Sequence, residues 1–349
     1  MKHLFRWFFR LILLVVLLFA GFLGYMSITD YSPKARESVA IQGQSPERIF
    51  ASGDTLSLLI WNIGYAGLGA EMDFFFDGGS RVRPEKEENS RYLQGITTFL
   101  AQQSSTDFVL LQEVDRNSKR SYHTDQVVPI SRALPQHNHS FALNYKTAFV
   151  PQPLSEPYGK VVGGLLSLSR TQPIQSTRYR LKADADWPMG LFMLDRCFLT
   201  QRFPMDSGKE LVVVNLHLSA YDDGGVKQNQ MDSLAAFLHK EEEQGNVVLL
   251  GGDWNQIAPD KPLPKPMENA PVTVQQAPKE FPNANWQWAV PEQSTNRWLL
   301  APYMQGTSQE ACIDYFLVSP GVQVLQTKRL NLNFAYSDHE PVWMQLILP

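Results

Sequence analysis

The sequence predicts a single α+β or α/β sandwich domain behind an N-terminal membrane segment. Short apolar runs typical of buried strands outnumber the candidate helices. No glycine-rich phosphate-binding pattern, zinc-ligand spacing, heptad or internal repeat is present, so a doubly wound nucleotide-binding sheet is not favoured. Polar residues suited to chemistry follow the apolar runs between positions 62 and 339, and a division into two domains would scatter them. We therefore expect one domain despite a length of 349 residues.

The N-terminal segment predicts a membrane anchor. Three basic residues within the first ten precede an apolar run that lasts to Met26, with no acidic residue before Asp30. Counted from Trp7, this run is about long enough to cross a bilayer at ~1.5 Å per residue. The basic flank assigns residues 1–10 to the cytoplasm and 11–28 to a transmembrane signal anchor. A cleaved signal peptide is the alternative, and both interpretations place the rest of the chain outside the cytoplasm.

The remainder divides into a tether and a catalytic domain. Residues 29–54 are polar and without periodicity, which predicts a tether, and residues 55–349 form the predicted domain. Apolar residues at helical spacing predict helices over 85–103 and 228–243. Further strands are predicted at 107–112, 161–168, 192–203, 211–218, 247–250, 313–318 and 341–348. Residues 259–282 are rich in proline and predict a long irregular loop.

Polar side chains recur where the apolar runs end. The clearest case is the run 247–250, which is followed by two glycines, Asp253 and Asn255. Glycines there allow a sharp turn or a close approach to a ligand. The same pattern supplies the other candidate residues, namely Asn62, Glu113, His217, Asp314, Asp338 and His339. A sheet that directs these side chains to one place would assemble a site.

Charge and cysteine content restrict the partners. The first 29 residues contain three basic and no acidic residues, which leaves 28 basic against 35 acidic residues and a formal charge of −7 beyond them. Because nonspecific nucleic-acid binding needs Lys and Arg to neutralise phosphates, this balance weighs against duplex DNA. Cys197 and Cys312 could form one disulfide or remain two free buried thiols, and we assign them no functional role.

Six motifs in order resemble those of the endonuclease/exonuclease/phosphatase superfamily, which has the DNase I-like fold. They are Trp61-Asn62, Gln112-Glu113-Val114, Asn215-Leu216-His217-Leu218, Gly252-Asp253-Trp254-Asn255, Ile313-Asp314-Tyr315 and Ser337-Asp338-His339. The resemblance covers about residues 55–349. It implies a four-layer α/β/β/α sandwich of two mostly antiparallel sheets flanked by helices. It also implies phosphoester hydrolysis by activated water and a divalent cation, usually Mg²⁺, with Mn²⁺ and Ca²⁺ as alternatives.

The resemblance assigns metal roles to Glu113, Asn62 and Asp338. Glu113 is the principal ligand, which suits a hard cation, and Asn62 supports the metal and phosphate region. Asp338 ligates a second metal or orients the site. Some family members place a second carboxylate two residues after the Asn, but Ile63 and Gly64 follow Asn62 here, which puts a tight two-metal site in doubt.

Catalytic roles fall to the remaining residues. Asp253 and Asn255 position the attacking water and stabilise the transition state, with an Asx turn as the bland alternative. A second group acts on protons and charge: His339 exchanges a proton or stabilises phosphate, Asp314 orients its ring, and His217 donates to a phosphate oxygen. Each residue of this second group could instead be structural.

Arg116 and Arg120 follow Glu113 and could clamp a phosphate, although a solvated basic loop is the alternative. The substrate is less constrained by the sequence. Loop aromatics suit an apolar or stacking ligand, unless they are buried, and they are Tyr65, Phe74, Phe75, Phe76, Trp286, Trp288 and Trp298. Together with the anchor and the acidic surface, they favour a lipid headgroup or small phosphoester over nucleic acid. The predicted protein is a monomeric, membrane-anchored, Mg²⁺-dependent phosphoesterase. An exported nuclease and a non-catalytic binding module are the alternatives.

Overall fold

A computed structural model describes residues 2–181, 186–220, 225–264 and 275–349. Within these ranges the α-helices are Lys2–Thr29 (α1), Lys86–Gln102 (α2), Val127–Ala133 (α3) and Gly225–Glu243 (α4). The strands are Arg36–Ser38 (β1), Thr55–Asn62 (β2), Phe108–Asp115 (β3), Asn138–Val150 (β4), Gly159–Ser169 (β5), Gln175–Arg180 (β6), Cys197–Pro204 (β7), Glu210–His217 (β8), Val247–Asp253 (β9), Gln287–Ala289 (β10), Asn296–Arg297 (β11), Glu310–Ala311 (β12), Asp314–Val318 (β13), Gln323–Arg329 (β14) and Val342–Ile347 (β15).

The long strands form two sheets. One has six strands in the order β14-β15-β2-β3-β5-β4, and the other has seven in the order β1-β6-β7-β8-β9-β13-β10. Among the described strands, neighbours in both sheets are antiparallel except for β2 with β3 and β8 with β9, which are parallel. A short ribbon of β11 and β12 lies apart from the sheets. The predicted class, two mostly antiparallel sheets, is confirmed.

Apolar side chains divide the molecule into four layers. Between the sheets lies a core that includes Ile60, Leu110, Val213, Leu249 and Phe316. Helices α2 and α3 cover the outer face of the six-stranded sheet, and α4 covers the outer face of the other. Each sheet is therefore buried on both faces, which explains why its central strands are continuous apolar runs. This α/β/β/α sandwich agrees with the architecture that the family resemblance implies.

Two βαβ units determine where the strands end. Helix α2 connects β2 to β3 and helix α4 connects β8 to β9, as parallel neighbours require. The carboxyl ends of all these strands therefore lie at one end of the sandwich, which we call the site end. The strands terminate there at or near Asn62, Glu113, His217 and Asp253.

Both predicted helices of the domain are confirmed. Helix α2 differs from the predicted range by one residue at each end, and a capping box joins Glu85 with Glu88 at its start. Helix α4 begins at Gly225, three residues before the predicted start. Helix α3 was not predicted, because its seven residues are too few to show a helical period.

The strand that precedes Asp253 is longer than its apolar run. The sequence suggested that Gly251 and Gly252 follow the strand, but β9 continues through both to Asp253. A Cβ atom on Gly252 would lie 2.0 Å from the backbone oxygen of Leu216 on the neighbouring strand. A Cβ on Gly251 would lie 2.5 Å from the ring of Phe316. The glycines thus allow close strand packing rather than a turn.

The predicted tether belongs to the fold. Residues 36–38 pair with β6 as the edge strand β1, and Phe50 is only 1% exposed within the core between the sheets. At these positions the chain is part of the domain rather than only a tether, which the sequence did not show because one apolar anchor within a polar segment gives no periodicity. The predicted strand over 192–203 also begins later, at Cys197. Part of the predicted 259–282 loop, residues 265–274, lies outside the described residues.

Helix α1 is, among the described residues, the one helix long and apolar enough to cross a membrane, a property shared by signal sequences. Most of its surface is exposed, but its last two turns contact the domain. Cys197 and Cys312 are both buried and free, so the structure has two free thiols rather than a disulfide.

Candidate active site

Glu113 occupies a strained position in β3. Its φ is +54°, a left-handed conformation that costs energy for a residue with a side chain. The register between β3 and β5 shifts between Leu111 and Val114, which marks a β-bulge at this point. Bulges redirect a side chain relative to its sheet. The carboxylate of Glu113 accepts a hydrogen bond from Asn62 Nδ2 at 3.3 Å, and its side chain remains 26% exposed.

Asp253 lies at the centre of the cluster. Its Oδ1 accepts the backbone N–H of Asn255 at 2.9 Å, which is the Asx turn considered as the bland alternative. Its Oδ2 accepts Asn62 Nδ2 at 3.0 Å and lies 3.3 Å from His217 Nε2 and 3.8 Å from His339 Nε2. One oxygen thus fixes the turn while the other faces the site.

The Asn62 amide is oriented by the backbone. Its Oδ1 accepts the N–H of Gly64 at 3.0 Å, so its Nδ2 faces the carboxylates of Glu113 and Asp253. Asn255 has φ of +48° and donates through Nδ2 to the carbonyl of Leu218 at 2.9 Å. Both amides therefore hold neighbouring groups in place.

His339 and Asp314 form a buried pair. The Nδ1 of His339 lies 2.8 Å from Asp314 Oδ2, and Trp61 Nε1 donates to the His339 carbonyl at 2.9 Å. Asp314 Oδ1 is buried and has no hydrogen-bond partner in the described part of the chain. The predicted orientation of the imidazole by a carboxylate is thus present as geometry.

The carboxyl groups around His339 shift its pKa and their own. Burial alone would lower the pKa of the imidazole, but three neighbouring carboxyl groups outweigh burial and raise that pKa well above its ordinary value; they belong to Asp314, Asp338 and Asp253. Burial raises the pKa of Asp253 to about 6 and that of Asp338 to about 7, although His339 opposes both shifts. A positively charged imidazole among carboxylates is the state that this arrangement favours.

Asn296 contacts His339 and was not identified from the sequence. Its Nδ2 lies 3.1 Å from His339 Nε2 and donates to the Asp338 carbonyl at 3.2 Å. In this orientation Nε2 accepts a hydrogen bond, and rotation of the amide would instead present an oxygen to a protonated ring. Asn296 follows no apolar run, because it lies in the short strand β11, so the strand-end pattern could not find it.

His217 is buried, and its pKa lies well below the ordinary value. Burial is the main cause, and the cationic side chains of Arg196 and His339 add to it. Its Nε2 lies 3.3 Å from Asp253 and 3.9 Å from Glu113 Oε1, while Nδ1 has no hydrogen-bond partner among the described residues. The ring is therefore a neutral donor at neutral pH.

Arg196 is a buried cation beside the site that sequence reasoning missed. It is 5% exposed, and its Nε and Nη1 have no hydrogen-bond partner in the described ranges. Burial lowers its pKa, whereas the charges of Glu113 and Asp253 raise it. Arg196 directly precedes β7, and Phe198 near the start of β7 pairs with Leu216 near the carboxyl end of β8. Arg196 therefore lies at the site end. A buried guanidinium with free donors is suited to bind an anion.

The structure does not bring Arg116 and Arg120 into the cluster as free donors. Arg116 forms an exposed ion pair with Asp125 at 2.8 Å, in agreement with the solvated alternative. Arg120 is buried, pairs through two nitrogens with Asp115, and lies 3.8 Å from the centre of the Tyr65 ring. Neither interpretation anticipated that burial.

Of the seven loop aromatics, three are buried, three are partly buried and one is exposed. Tyr65 is 1% exposed, and Trp286 donates to Glu242 from a buried position. Trp288 packs against Trp254 and Tyr315. Of the aromatics considered, Phe76 is the exposed one at 38%. Burial, the alternative to a stacking surface, therefore holds for Tyr65, Phe74 and Trp286, which fill space between the loops and the sheets.

The residues of the cluster fit a divalent cation. Four carboxyl groups converge, and within the described ranges their partners at ion-pair distance are histidines. Asp314 Oδ1 has no hydrogen-bond partner among the described residues, and burial, with the charge of Glu113 adding to it, raises the pKa of Asp338, so a cation here would stabilise both carboxylates. Ligand atoms of Asp253, Asp314 and His339 lie within 4.8 Å of one another. Carboxylate oxygens are the donors that hard cations prefer.

Comparison with known proteins gives the same family as the motifs. The family model described as Endonuclease/Exonuclease/phosphatase family matches residues 59–339. No curated protein matches the chain. A solved endonuclease/exonuclease/phosphatase from Beutenbergia cavernae has a TM-score of 0.57 at 18% identity, covering 84% of this chain and 72% of that one.

Two further solved structures share the fold. An endonuclease/exonuclease/phosphatase from Bacteroides vulgatus has a TM-score of 0.54 at 17% identity, with coverage of 85% of this chain and 100% of that one. ANGEL2, a 2′,3′-cyclic phosphatase, has a TM-score of 0.52 at 13% identity, with coverage of 89% and 98%. At these identities the likeness concerns the fold alone.

Proposed function

The chain belongs to the endonuclease/exonuclease/phosphatase family, whose members are metal-dependent phosphoester hydrolases, and from that premise we propose an exported, membrane-anchored, Mg²⁺-dependent phosphoesterase. The observation that carries the proposal is the position of Asp253 Oδ2. This one oxygen is 3.0 Å from Asn62, 3.3 Å from His217 and 3.8 Å from His339. A carboxylate held between an amide and two imidazoles is suited to proton transfer at a phosphate.

Glu113 is the proposed principal metal ligand, and Asp338 is the proposed second carboxylate. Asn62 supports the metal region by holding Glu113 through its Nδ2, since its own oxygen is bonded to Gly64. A bound Mg²⁺ would supply electrostatic stabilisation of the charge that develops on the phosphate oxygens. The exposed part of Glu113 gives an ion access from solvent.

Asp253 is the proposed base that receives a proton from water. Burial raises the pKa of its carboxyl group to about 6, close to the pH at which a base works best. The hydrogen bond from the Asn255 backbone holds Oδ1, so that Oδ2 stays directed at the cluster. Asn255 is therefore proposed to hold the base in place and to stabilise the transition state, without itself taking part in the proton transfer.

Three cationic or donor groups are proposed to bind the phosphate. His339, oriented by Asp314, returns a proton or stabilises negative charge, and His217 donates from its Nε2. Arg196, which precedes the first residue of β7, adds the guanidinium donors Nε and Nη1, which have no partner among the described residues. Arg196 is proposed for this role instead of Arg116 and Arg120, because the side chains of Arg116 and Arg120 are paired with aspartates.

The substrate is proposed to be a lipid headgroup or another small phosphoester. A formal charge of −7 on residues 30–349 gives no long-range attraction for a polyanion. Electrostatic attraction to phosphates supplies most of nonspecific nucleic-acid binding, so a nuclease would need a basic surface that this composition does not favour.

The proposal can be tested with the full chain in detergent micelles. A panel of p-nitrophenyl phosphate, bis(p-nitrophenyl) phosphate, short-chain phospholipid and supercoiled plasmid would be assayed with and without Mg²⁺. We expect turnover that depends on Mg²⁺, and a loss of about 10³-fold in kcat for Glu113→Gln, Asp253→Asn and His339→Asn. Arg116→Ala is the matched control and should retain activity, because its exposed ion pair lies outside the cluster.

The outcomes separate the competing functions. Nicking of plasmid without cleavage of small phosphoesters would favour a nuclease instead. Turnover that is absent from the whole panel, with Mg²⁺ binding by calorimetry equal in wild type and Glu113→Gln, would overturn the enzyme and favour a binding module. Comparison of Mg²⁺ affinity between Glu113→Gln and Asp314→Asn would identify which carboxylates hold the ion.

A further inference from the structure

The C-terminal part of helix α1 packs directly against the site end of the domain. The ring of Phe22 contacts the rings of Phe149 and Phe192, each at a centroid distance of 6.2 Å. Met26, one turn later, is only 1% exposed. Trp187 Nε1 donates to Ser27 Oγ at 3.1 Å. Phe149 lies at the end of β4, and Trp187 and Phe192 lie in the loop between β6 and β7, both at the site end.

The same loop reaches from the helix to the active site. Phe192 contacts α1, and Arg196, four residues later, is buried beside Glu113 and Asp253. Because consecutive Cα atoms are ~3.8 Å apart, these two positions are separated by at most about 15 Å. One short segment of the chain therefore contacts both α1 and the cluster.

The position of Phe22 along α1 indicates how deep in the bilayer these contacts lie. Phe22 is fifteen residues after Trp7, which corresponds to about 22 Å along a helix. If the span begins at Trp7, a hydrocarbon layer of about 30 Å ends some 8 Å beyond Phe22. The domain residues that contact Phe22 would then reach the depth of roughly 5–10 Å at which interfacial elements bury apolar side chains.

Exposed apolar side chains concentrate at this end of the domain. Outside α1, most large apolar residues that are exposed in the described ranges lie on loops at the site end, among them Phe76, Leu154, Trp187, Met189 and Met304. Leu154 is 87% exposed and Met189 is 62% exposed. Ile174, by contrast, is exposed at the opposite end, just before β6 begins. Water is a poor solvent for such a cluster, and lipid is a good one.

We propose that these loops form a membrane-facing rim that rests on the outer surface of the bilayer that α1 spans. The substrate is then a phospholipid or other lipid phosphoester of that same bilayer, which reaches the cluster from the lipid side. The membrane is a better partner for the rim than another protein, because α1, which spans the bilayer, packs against the same end of the domain. This inference rests on the proposed phosphoesterase function; it selects the lipid among the proposed substrates and adds the docking surface and the direction of entry.

The rim can be located by labelling introduced cysteines. Cys197 and Cys312 are buried, so a nitroxide label on Leu154→Cys, Met189→Cys or Ile174→Cys is selective. The full chain would be reconstituted in phosphatidylcholine and phosphatidylglycerol vesicles. Labels at 154 and 189 are expected to collide with oxygen dissolved in lipid, whereas the label at 174 collides with a water-soluble nickel complex. Exposure of all three labels to water would overturn the proposal.

Activity on two forms of substrate supplies the second test. The double variant Leu154→Ser with Met189→Ser should lower hydrolysis of the vesicle lipids at least tenfold and change hydrolysis of soluble p-nitrophenyl esters less than twofold. Ile174→Ser is the control and should change neither. An equal loss on both substrates would assign the rim a structural role and refute the inference. Cleavage of soluble esters without any cleavage of vesicle lipid would refute it while leaving the phosphoesterase intact, and cleavage of neither would overturn the phosphoesterase itself.

Discussion

Asp253 illustrates how a single residue can be structural and chemical at the same time. Its Oδ1 accepts the Asn255 backbone N–H, which is a common local turn. Its Oδ2 lies among Asn62, His217 and His339. The turn fixes the carboxylate without using the oxygen that faces the cluster. Preorganisation of this kind is what a proton-transfer group requires.

Arg196 gives the sharpest prediction at the level of one residue. Substitution Arg196→Met should raise the Ki for inorganic phosphate and the KM for a soluble phosphoester at least tenfold, because free donors for the phosphate are lost. The melting temperature should not fall, because an unpartnered buried charge is costly to keep. Steady-state kinetics and thermal unfolding in micelles measure both effects.

Arg178 is the matched control for this substitution. It is 1% exposed, and it donates to the carbonyls of Leu143 at 2.8 Å and Asp195 at 2.7 Å. Arg178→Met should therefore destabilise the fold by about 3 kcal/mol through two lost hydrogen bonds from a charged group. If Arg196→Met lowered the melting temperature as much as Arg178→Met and left KM unchanged, Arg196 would be a structural residue.

The sequence identified some residues of the cluster more easily than others. Glu113, His217 and Asp253 follow apolar runs, and the end of a strand is a position that one-dimensional patterns can mark. Arg196 precedes its strand, and Asn296 lies in a two-residue strand, so no pattern marks either one. Among the described residues, Nε and Nη1 of Arg196 have no hydrogen-bond partner, and this depends on packing in three dimensions, which a spacing argument cannot reveal.

A polar connection between the two sheets lies directly beneath the cluster. Gln112 on β3 donates through Nε2 to Asn215 Oδ1 on β8 at 2.7 Å. Asn215 Nδ2 in turn donates to the carbonyls of Leu111 at 3.1 Å and Leu166 at 3.2 Å. Both side chains are completely buried. The two residues connect the strand that carries Glu113 to the strand that carries His217.

Removal of this connection should destabilise the whole sandwich. Asn215→Ala removes its hydrogen bonds with Gln112 Nε2 and with the carbonyls of Leu111 and Leu166 and leaves a buried cavity, for which we expect a loss of about 2–4 kcal/mol in the free energy of unfolding. Denaturant titration in micelles measures the loss. Asn285→Ala, at an exposed position, is the control and should change stability by less than about 0.5 kcal/mol. Equal stabilities of the two variants would contradict the proposed role.

The elements that the sequence predicted are those buried on both faces. Strands β3, β8 and β9 are continuous apolar runs because they lie between the inner core and an outer helix. Edge strands lack that signal: β14 reads Gln-Val-Leu-Gln-Thr-Lys-Arg and is largely exposed, and β1 has three polar residues. Their position depends on a neighbouring strand that is distant in sequence, which explains why they were missed.

At the scale of the whole molecule, the junction between α1 and the domain carries an unusual charge arrangement. Asp195 accepts the backbone N–H of Lys146 at 3.2 Å, yet burial raises the pKa of its carboxyl group to about 7, and the nearby charge of Asp30 adds to the rise. Burial also raises the pKa of Asp30. Two carboxyl groups at the point where the helix meets the domain thus oppose ionisation.

The stability of the full chain should therefore depend on pH through this junction. Between about pH 4 and pH 7 the folded chain holds a proton on Asp195 that the unfolded chain releases, so the contribution of this group is favourable at low pH and is lost as pH rises through about 7. The full shift corresponds to about 4 kcal/mol, and partial exposure reduces it to an expected ~2 kcal/mol.

Asp195→Asn should remove this component and raise the melting temperature above pH 7, whereas Asp206→Asn, in the exposed turn between β7 and β8, should not. Melting curves in micelles from pH 5 to pH 8 that are parallel for Asp195→Asn and wild type would show that Asp195 is ionised in the fold.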